Sequence, residues 1–419
     1  MVIGPGGAGV SVTAASAALR SSGRRTRNAP GGPTTAEDGH DTLLVTTDRW
    51  SPTSGVLGVF RHADEGVPVS TRLNLLSLDR LALLEATWSE FTTVLGQTLR
   101  ASKVALPGLG AVADIAPGEL ATLPGVEDFL VLRRIRDEAV SGRWRQIVVD
   151  GSGFGDPFEF LRAGSVLSQT LNRLWPRHRR LAAAAERPVM AQLTAAVDAI
   201  DRDCLDIAGL LTDSHVAAVH LVVPADDRGT RVLPHLLATT DVMGLALRSV
   251  VLNRGTGPAS TDQRVAALRA SIGADRNGDD AGNIVITELD KLPDTIDRAA
   301  RLRKLGVVLP DPNGRPRGSG AARVTEIPAP AGSGSVGSGS VESGFELAYE
   351  MSWRQRLPEP DTLALGRSGD DLLVTVGGFR HPVRLPSVLR RCIVTDAAWD
   401  GTDLTVRFVP DPALWPRGR

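Results

Sequence analysis

The first 310 residues alternate short runs of apolar, β-branched residues with longer stretches of helical spacing. The short runs are almost continuously apolar, as strands buried on both faces of a parallel sheet must be. This alternation predicts an α/β fold in which crossover helices cover a parallel sheet. The candidate strands lie at residues 2–3, 42–46, 146–149, 217–223, 248–252 and 283–286.

Two long stretches between these strands have helical spacing, residues 73–99 and 158–211. Apolar residues that recur every three or four positions most often face the core of their own domain. They can also form an apolar groove for a segment of another protein, so both interpretations stay open. Residues 24–41 are rich in Gly, Pro and Thr, which predicts a surface loop inserted before the second strand.

The composition changes after residue 310. Proline followed by alternating Gly and Ser is typical of a flexible linker, which we place at residues 311–344. In residues 345–411 apolar and polar side chains alternate, with turn signals such as Gly377-Gly378 between the runs. We therefore expect an α/β domain at residues 1–310 and a second, all-β sandwich domain at residues 345–411.

Charge and cysteine content exclude several classes of function. The 47 basic and 48 acidic residues give a net charge of -1, which offers no reason to expect nucleic acid as a partner. No apolar run reaches about 18 residues and no positive segment precedes the apolar start, so we expect neither a transmembrane segment nor a signal peptide. Cys204 and Cys392 are too few for a disulfide framework, a thiolate metal site or a three-thiolate arsenite site, and a cytoplasmic location is expected.

A glycine-rich run directly after the first candidate strand is the strongest candidate for a binding site. Residues 4–11 have the spacing G-x-x-x-x-G-x-[ST] and open an alanine-rich helix. In such a loop backbone N–H groups point at phosphates and the hydroxyl binds Mg²⁺, although a flexible chain end has the same composition. The candidate cradle residues are Gly4, Gly6, Gly7, Gly9 and Ser11.

Three further motifs resemble those of the ArsA family of ATPases, which includes arsenite-pump ATPases and ATPases that target tail-anchored membrane proteins. Residues 44–48 resemble the family's second strand, which ends in T-D-P-A. Asp48 matches the aspartate that in the family takes part in activating water. Residues 147–150 resemble the strand before the D-T-A-P-T-G-H signature, of which Asp150 keeps the aspartate. Asn253 stands where the family's asparagine contacts adenine.

The C-terminal domain also resembles a known module. Leu385-Pro386, residues 394–404 and Val406 to Phe408 look like the α-crystallin, small heat-shock-like domain, which some ArsA relatives carry at their C-terminus. The two resemblances together imply a P-loop NTPase-like parallel sheet with a helical subdomain, followed by this β-sandwich.

The resemblance also implies ATP or ADP with Mg²⁺ as ligand, and a dimer with nucleotide between its subunits. The family's loop typically reads G-K-G-G-V-G-K-T, whereas Pro5 and Val10 replace both lysines here. Each lost charge-stabilising contact commonly costs on the order of 10²–10³ in rate, so we expect weakened binding and slow or absent hydrolysis. Arg49 and Arg162 are candidates for a cation that replaces the loop lysines, but each is better explained as a solvated or salt-bridged surface residue.

Three functional hypotheses remain at the level of sequence. In the first, the protein is a chaperone-like, client-binding or regulatory module, either a homodimer or paired with a lysine-bearing paralogue, with a hydrophobic protein as client. In the second, it is a slow but genuine ATPase of the anion-pump or protein-targeting type that uses Asp48 and Asp150. In the third, it binds no nucleotide and its β domain mediates assembly. His215, His220 and His235 are better explained by packing or a surface position than by metal binding.

Overall fold

The computed structural model describes residues 1–23, 42–101, 109–120, 122–123, 125–153, 155–186, 188–256, 262–273, 284–290, 295–328 and 347–415. The loop expected at residues 24–41 lies outside these ranges. An eight-stranded sheet has the order β3-β4-β2-β5-β1-β6-β7-β8 and is parallel throughout except for the β3–β4 pair, so the predicted α/β fold is confirmed. The strands are β1 (Val2–Ile3), β2 (Thr42–Thr46), β3 (Gly66–Ser70), β4 (Leu73–Ser77), β5 (Gln146–Asp150), β6 (Val219–Pro224), β7 (Leu247–Asn253) and β8 (Val285–Leu289).

Helices cover both faces of this sheet, which explains why its strands are almost continuously apolar. On one face Val2 and Leu44 belong to the same buried cluster as alanines of α1. On the other face Ile3 and Val45 pack in a cluster that includes residues of α5 and α10. The helices are α1 (Val10–Gly23), α2 (Thr53–Leu57), α3 (Arg80–Ala101), α4 (Leu109–Ala113), α5 (Val126–Val140), α6 (Pro157–Leu161), α7 (Ala163–Leu174), α8 (Arg177–Glu186), α9 (Pro188–Thr212), α10 (Asp227–Val242), α11 (Asp262–Gly273) and α12 (Ala299–Leu305).

Strand β1 has only two residues, yet it lies at the centre of the sheet between β5 and β6. Its backbone is fixed on both sides, since Gly151 N donates to Val2 O and His220 N donates to Met1 O, each at 2.9 Å. Immediately after β1 the chain leaves the sheet at the carboxyl ends of its neighbours. This is the edge at which ligands bind in open parallel sheets.

Two of the helical predictions need correction. The range 73–99 begins with strand β4, which pairs in parallel with β2, and the helix starts only at Arg80. A five-residue apolar run cannot be told from the start of a buried helix by periodicity alone. The range 158–211 contains four helices, with Pro176 and Pro188 at the boundaries of α8 and α9, as proline's missing N–H favours.

The C-terminal domain consists of two antiparallel sheets, one with the order β14-β15-β10-β9 and one with the order β11-β12-β13. The inward-facing residues of both sheets belong to one buried cluster, so the predicted sandwich is confirmed. The predicted linker 311–344 contains strand β9, which pairs with β10. Its β-branched residues are few and lie within a segment rich in Gly, Ser and Pro, so the sequence did not indicate a strand. The strands are β9 (Arg323–Pro328), β10 (Leu347–Arg354), β11 (Ala364–Ser368), β12 (Asp371–Val376), β13 (Phe379–Arg384), β14 (Cys392–Trp399) and β15 (Asp403–Pro410).

The β domain packs directly on the α/β domain, mainly against α10. Asp241 of α10 binds the Arg356 guanidinium through both carboxylate oxygens, at 2.8 and 2.9 Å. The fully buried Gln355 donates to Ala238 O at 2.9 Å, so the interface includes a satisfied polar network. Among the helices of the described ranges, none has the combination of length and apolarity needed to cross a bilayer.

A second part of the interface joins α6 to β13. The rings of Phe158 and Phe379 meet edge to face with 6.2 Å between centroids. The Arg162 guanidinium lies 4.6 Å from the Phe379 centroid and donates to Arg380 O. His381 stacks on Phe379 and is 8% exposed, and this burial, together with the charge of Arg162, lowers its pKa to about 4.

The depressed pKa of His381 makes the stability of this interface dependent on pH. Between the ordinary histidine pKa of about 6.5 and the folded value of about 4, the unfolded chain binds one more proton than the folded one. Stability is therefore lost as pH falls through this window, by at most about 1.4 kcal/mol per pH unit. Between pH 7 and pH 5 we expect the free energy of unfolding of the unaltered protein to fall. In His381→Phe, which keeps the aromatic stacking, it should fall by about 1–2 kcal/mol less.

Urea unfolding at the two pH values measures this difference. His62→Phe, at an exposed histidine, is the matched control and should follow the unaltered protein. An equal pH dependence of stability in His381→Phe and the control would contradict the assignment of this pH dependence to His381.

Candidate functional site

The glycine-rich loop of residues 4–11 leads from β1 into α1 at the carboxyl edge of the sheet and includes the first two residues of that helix. A turn closed by Ala8 N donating to Pro5 O, at 3.1 Å, bends the loop back on itself. The amides of Gly6, Gly7 and Gly9 donate to no group within the described residues, and the first amides of α1 have no intrahelical acceptor. These N–H groups and the positive end of the helix suit a phosphate group, so the loop fits the expected ligand.

The loop is held to the end of β7 by Asn253. Its Nδ2 donates to Ala8 O at 2.8 Å, and its Oδ1 accepts from Gly255 N at 2.9 Å. Gly9 has a φ of 95°, and a Cβ there would lie 2.6 Å from Asn253 Nδ2, so glycine is required. Contact of Asn253 with adenine remains a prediction, whereas its contact with the loop is a further role that the sequence did not indicate.

Pro5 stands where the family's loop has its first lysine, and the buried Val10 stands where it has its second. Val10 is only 5% exposed and belongs to the apolar cluster on one face of the sheet. A Cβ on Gly4 would lie 3.3 Å from Val10 Cγ2, which places the valine side chain against the base of the loop. Neither Pro5 nor Val10 has a group that can donate a hydrogen bond from its side chain to a phosphate.

Ser11 and Asp150 are brought together by a short chain of hydrogen bonds. Ser11 Oγ donates to Ser152 Oγ at 2.8 Å, and Ser152 N donates to Asp150 Oδ1 at 3.1 Å. Asp150 is fully buried at the end of β5, and this burial raises the pKa of its carboxyl group. Hydroxyl and carboxylate oxygens are the ligands that Mg²⁺ prefers. No group of three or more His, Cys, Asp and Glu that could hold a metal by itself occurs in the described ranges.

Asp48 lies at the same edge of the sheet as Asp150. A Cβ on Gly153, which follows β5, would lie 2.6 Å from Asp48 Cβ, and the charge of Asp48 contributes to the raised pKa of Asp150. Asp48 Oδ1 accepts from Trp50 N at 2.9 Å, which orients the carboxylate. The structure thus places all the predicted site residues around one loop.

The two arginines considered as replacement cations point elsewhere. Arg49 lies over the Trp50 ring, 4.9 Å from its centroid, and Arg162 contacts the β domain. A third arginine was missed: Arg228 Nη1 donates to Gly6 O at 2.7 Å. Its position in the sequence, just after β6, was the available signal, because the carboxyl ends of adjacent parallel strands share one edge.

The three histidines near one another in sequence do not converge in the structure. His220 is buried with its Nδ1 2.8 Å from Ser249 Oγ, and burial lowers its pKa. His215 lies against Gly314, and His235 Nε2 is 3.9 Å from a carboxylate oxygen of Glu359. The buried His220 packs in the sheet, whereas His215 and His235 lie at the surface.

Comparison with known proteins places this arrangement in a family. Residues 1–273 match the family model described as an anion-transporting ATPase, and residues 348–408 match an HSP20-like domain found in ArsA. Protein Rv2184c of Mycobacterium tuberculosis is 31% identical over 99% of this chain and 97% of its own length, and SCO2128 of Streptomyces coelicolor is 31% identical over 100% and 99%. A putative arsenical pump-driving ATPase of Chlorobaculum tepidum is 22% identical over 60% of this chain and 59% of its own length. The chain therefore belongs to the ArsA family of anion-transporting ATPases and carries the HSP20-like domain found in that family.

Proposed function

We propose that this protein binds an adenine nucleotide in the loop of residues 4–11, hydrolyses it slowly or not at all, and acts as a dimeric chaperone-like or regulatory module. The observation that carries this proposal is that the loop has the geometry of a phosphate-binding loop but no positive charge. Its free amides and glycine geometry are those of a phosphate cradle, while Pro5 and Val10 place no positive charge in it. Backbone amides can hold phosphates, whereas phosphoryl transfer depends on stabilising developing charge.

Each described residue of the site has a definite part in this proposal. The amides of Gly6, Gly7 and Gly9 would donate to phosphate oxygens, and Asn253 keeps the loop in the required shape. Ser11 would bind Mg²⁺, and the buried Asp150 would hold the hydroxyl network in place. The nucleotide supplies a phosphate anhydride, whose cleavage this chain's own residues are poorly equipped to promote.

An apolar groove in the helical subdomain supports the chaperone-like part of the proposal. The groove lies between α3 and α9 and has a volume of about 250 Å³. Phe91 and Val94 of α3 are 36% and 44% exposed along it, and Met190 and Leu193 of α9 line the opposite wall. An amphipathic or apolar helix is the segment that such a groove fits, because its side chains enter at helical spacing.

The surface beside Asp48 supports the dimeric part. Trp50 and Phe60 are 78% and 87% exposed, and the neighbouring Arg61 donates to the carbonyl oxygen of Asp48. Large exposed aromatic side chains next to a binding site are typical of a surface that another subunit covers. The partner in this proposal is a second copy of the chain or a lysine-bearing paralogue.

The alternative is a slow but genuine ATPase. The proximity of Asp48, Asp150 and Ser11 favours it, because carboxylates that orient water and Mg²⁺ are retained. Absence of turnover with nucleotide bound would remove this alternative.

Calorimetric titration with ATP and ADP, with and without Mg²⁺, tests nucleotide binding. We expect micromolar binding by the unaltered protein and at least about tenfold weaker binding by Gly9→Ala, because the new Cβ collides with Asn253. Gly209→Ala, at an open helical position, is the matched control and should bind normally. No heat from the unaltered protein at millimolar nucleotide would contradict the proposal.

Binding of a fluorescent apolar helical peptide of about 20 residues tests the groove. Val94→Asp places a charge on the apolar wall, and we expect it to weaken peptide binding at least about tenfold. Val140→Asp, at a valine that is 69% exposed at the end of α5, is the control that should leave binding unchanged. Equal peptide affinity of the two variants would remove the groove as the client site.

A further inference from the structure

Residues 4–11 contain no cationic side chain, so the loop itself gives a bound nucleotide phosphate no full positive charge besides the Mg²⁺ that Ser11 would bind. A nucleoside triphosphate carries several negative charges, and backbone amides alone contribute only partial positive charges. A cationic side chain of the same chain near the loop would therefore strengthen binding beyond what the amides and Mg²⁺ provide. Such a cation has to come from a segment that the fold, rather than the sequence, brings to this edge of the sheet.

Arg228 is the arginine in that position. It lies in the first turn of α10, and its Nη1 donates to Gly6 O at 2.7 Å, which fixes the guanidinium at the rim of the loop. The same atom is 4.0 Å from the position that a Cβ on Gly7 would occupy. One of the five N–H donors of the guanidinium is used in this bond, and the exposed side chain can direct others to a ligand.

The neighbouring carboxylates are engaged with other groups. Asp226 caps α10 by accepting from Gly229 N at 2.9 Å. Asp227 binds Arg264 through both oxygens, at 2.8 and 3.1 Å. Within the described residues no carboxylate forms an ion pair with Arg228, so its charge is available to an anion.

The other described arginines around the site are held by different contacts. Arg61 binds the carbonyl oxygens of Asp48 and Arg49, and Arg254 is paired with Glu288 and Asp262. Within the described ranges, Arg228 is the one cationic side chain that hydrogen-bonds to the loop itself.

We propose that Arg228 binds the phosphates of a nucleotide held by residues 4–11 and supplies the positive charge that the loop lacks. This inference rests on the proposed nucleotide binding. Arginine suits the role because its planar fork binds phosphate oxygens in pairs while another N–H holds the loop carbonyl. Arg228 then contributes to affinity for the phosphate tail and not for the nucleoside.

Calorimetric titration of the full chain with ATP, ADP and adenosine, each with Mg²⁺, tests the inference. Arg228→Ala should weaken ATP and ADP binding by about tenfold or more and leave adenosine affinity unchanged, since a charge-assisted contact to phosphate is lost. Arg228→Lys should recover part of the affinity because it keeps the charge but not the fork. Arg231→Ala removes the same charge one helical turn further from the loop and should bind like the unaltered protein.

The outcomes separate this inference from the function on which it rests. If the unaltered protein binds ATP and Arg228→Ala retains its affinity within about twofold, the inference is wrong and the proposed function stands. If ATP and adenosine affinities fall together in Arg228→Ala, the arginine only shapes the loop and the inference is also wrong. If the unaltered protein binds no nucleotide, both proposals fail.

Discussion

The structure of the site depends on the close approach of three backbone segments at the carboxyl ends of β5, β1 and β6. A Cβ on Gly4 would lie 2.2 Å from Val222 O, and a Cβ on Gly151 would lie 2.9 Å from Val2 O. Any larger residue would push these segments apart. Because these segments stay together, the two residues of β1 are enough to position the loop of residues 4–11 at the carboxyl edge of the sheet. There Ser11 hydrogen-bonds to Ser152, which follows Asp150.

Much of the fold could be predicted from the sequence, because buried parallel strands leave an apolar pattern that does not depend on tertiary detail. Strand β2 was predicted at its observed bounds, and β5 to within one residue. Strand β3 was missed because it is an exposed edge strand containing Pro68, and β9 because it lies within a segment rich in Gly, Ser and Pro. Patterns of burial cannot reveal a strand that is not buried.

The site was predictable to the extent that its residues lie in local motifs. Ser11 was found in the glycine-rich spacing of residues 4–11, and Asp48 and Asp150 were found in short segments that resemble motifs of the ArsA family. Arg228 is more than 200 residues from Gly6 in sequence, so only the strand order, which places β6 beside β1, brings the two together. The position of the β domain was also unpredictable, since a Gly and Ser segment sets no geometry, whereas Asp241 and Arg356 fix it.

In the proposed function nucleotide binding is separated from hydrolysis, because the loop keeps its free amides while residues 4–11 contain no cationic side chain. The most direct measurement is the rate at which bound ATP becomes ADP, followed with labelled ATP and protein in excess. A typical turnover of about 10 s⁻¹ reduced by about 10²–10³ for each of two lost contacts predicts a rate on the order of 10⁻³ s⁻¹ or below. A rate on the order of 1 s⁻¹ that disappears in Asp150→Asn would contradict the claim and identify a genuine ATPase.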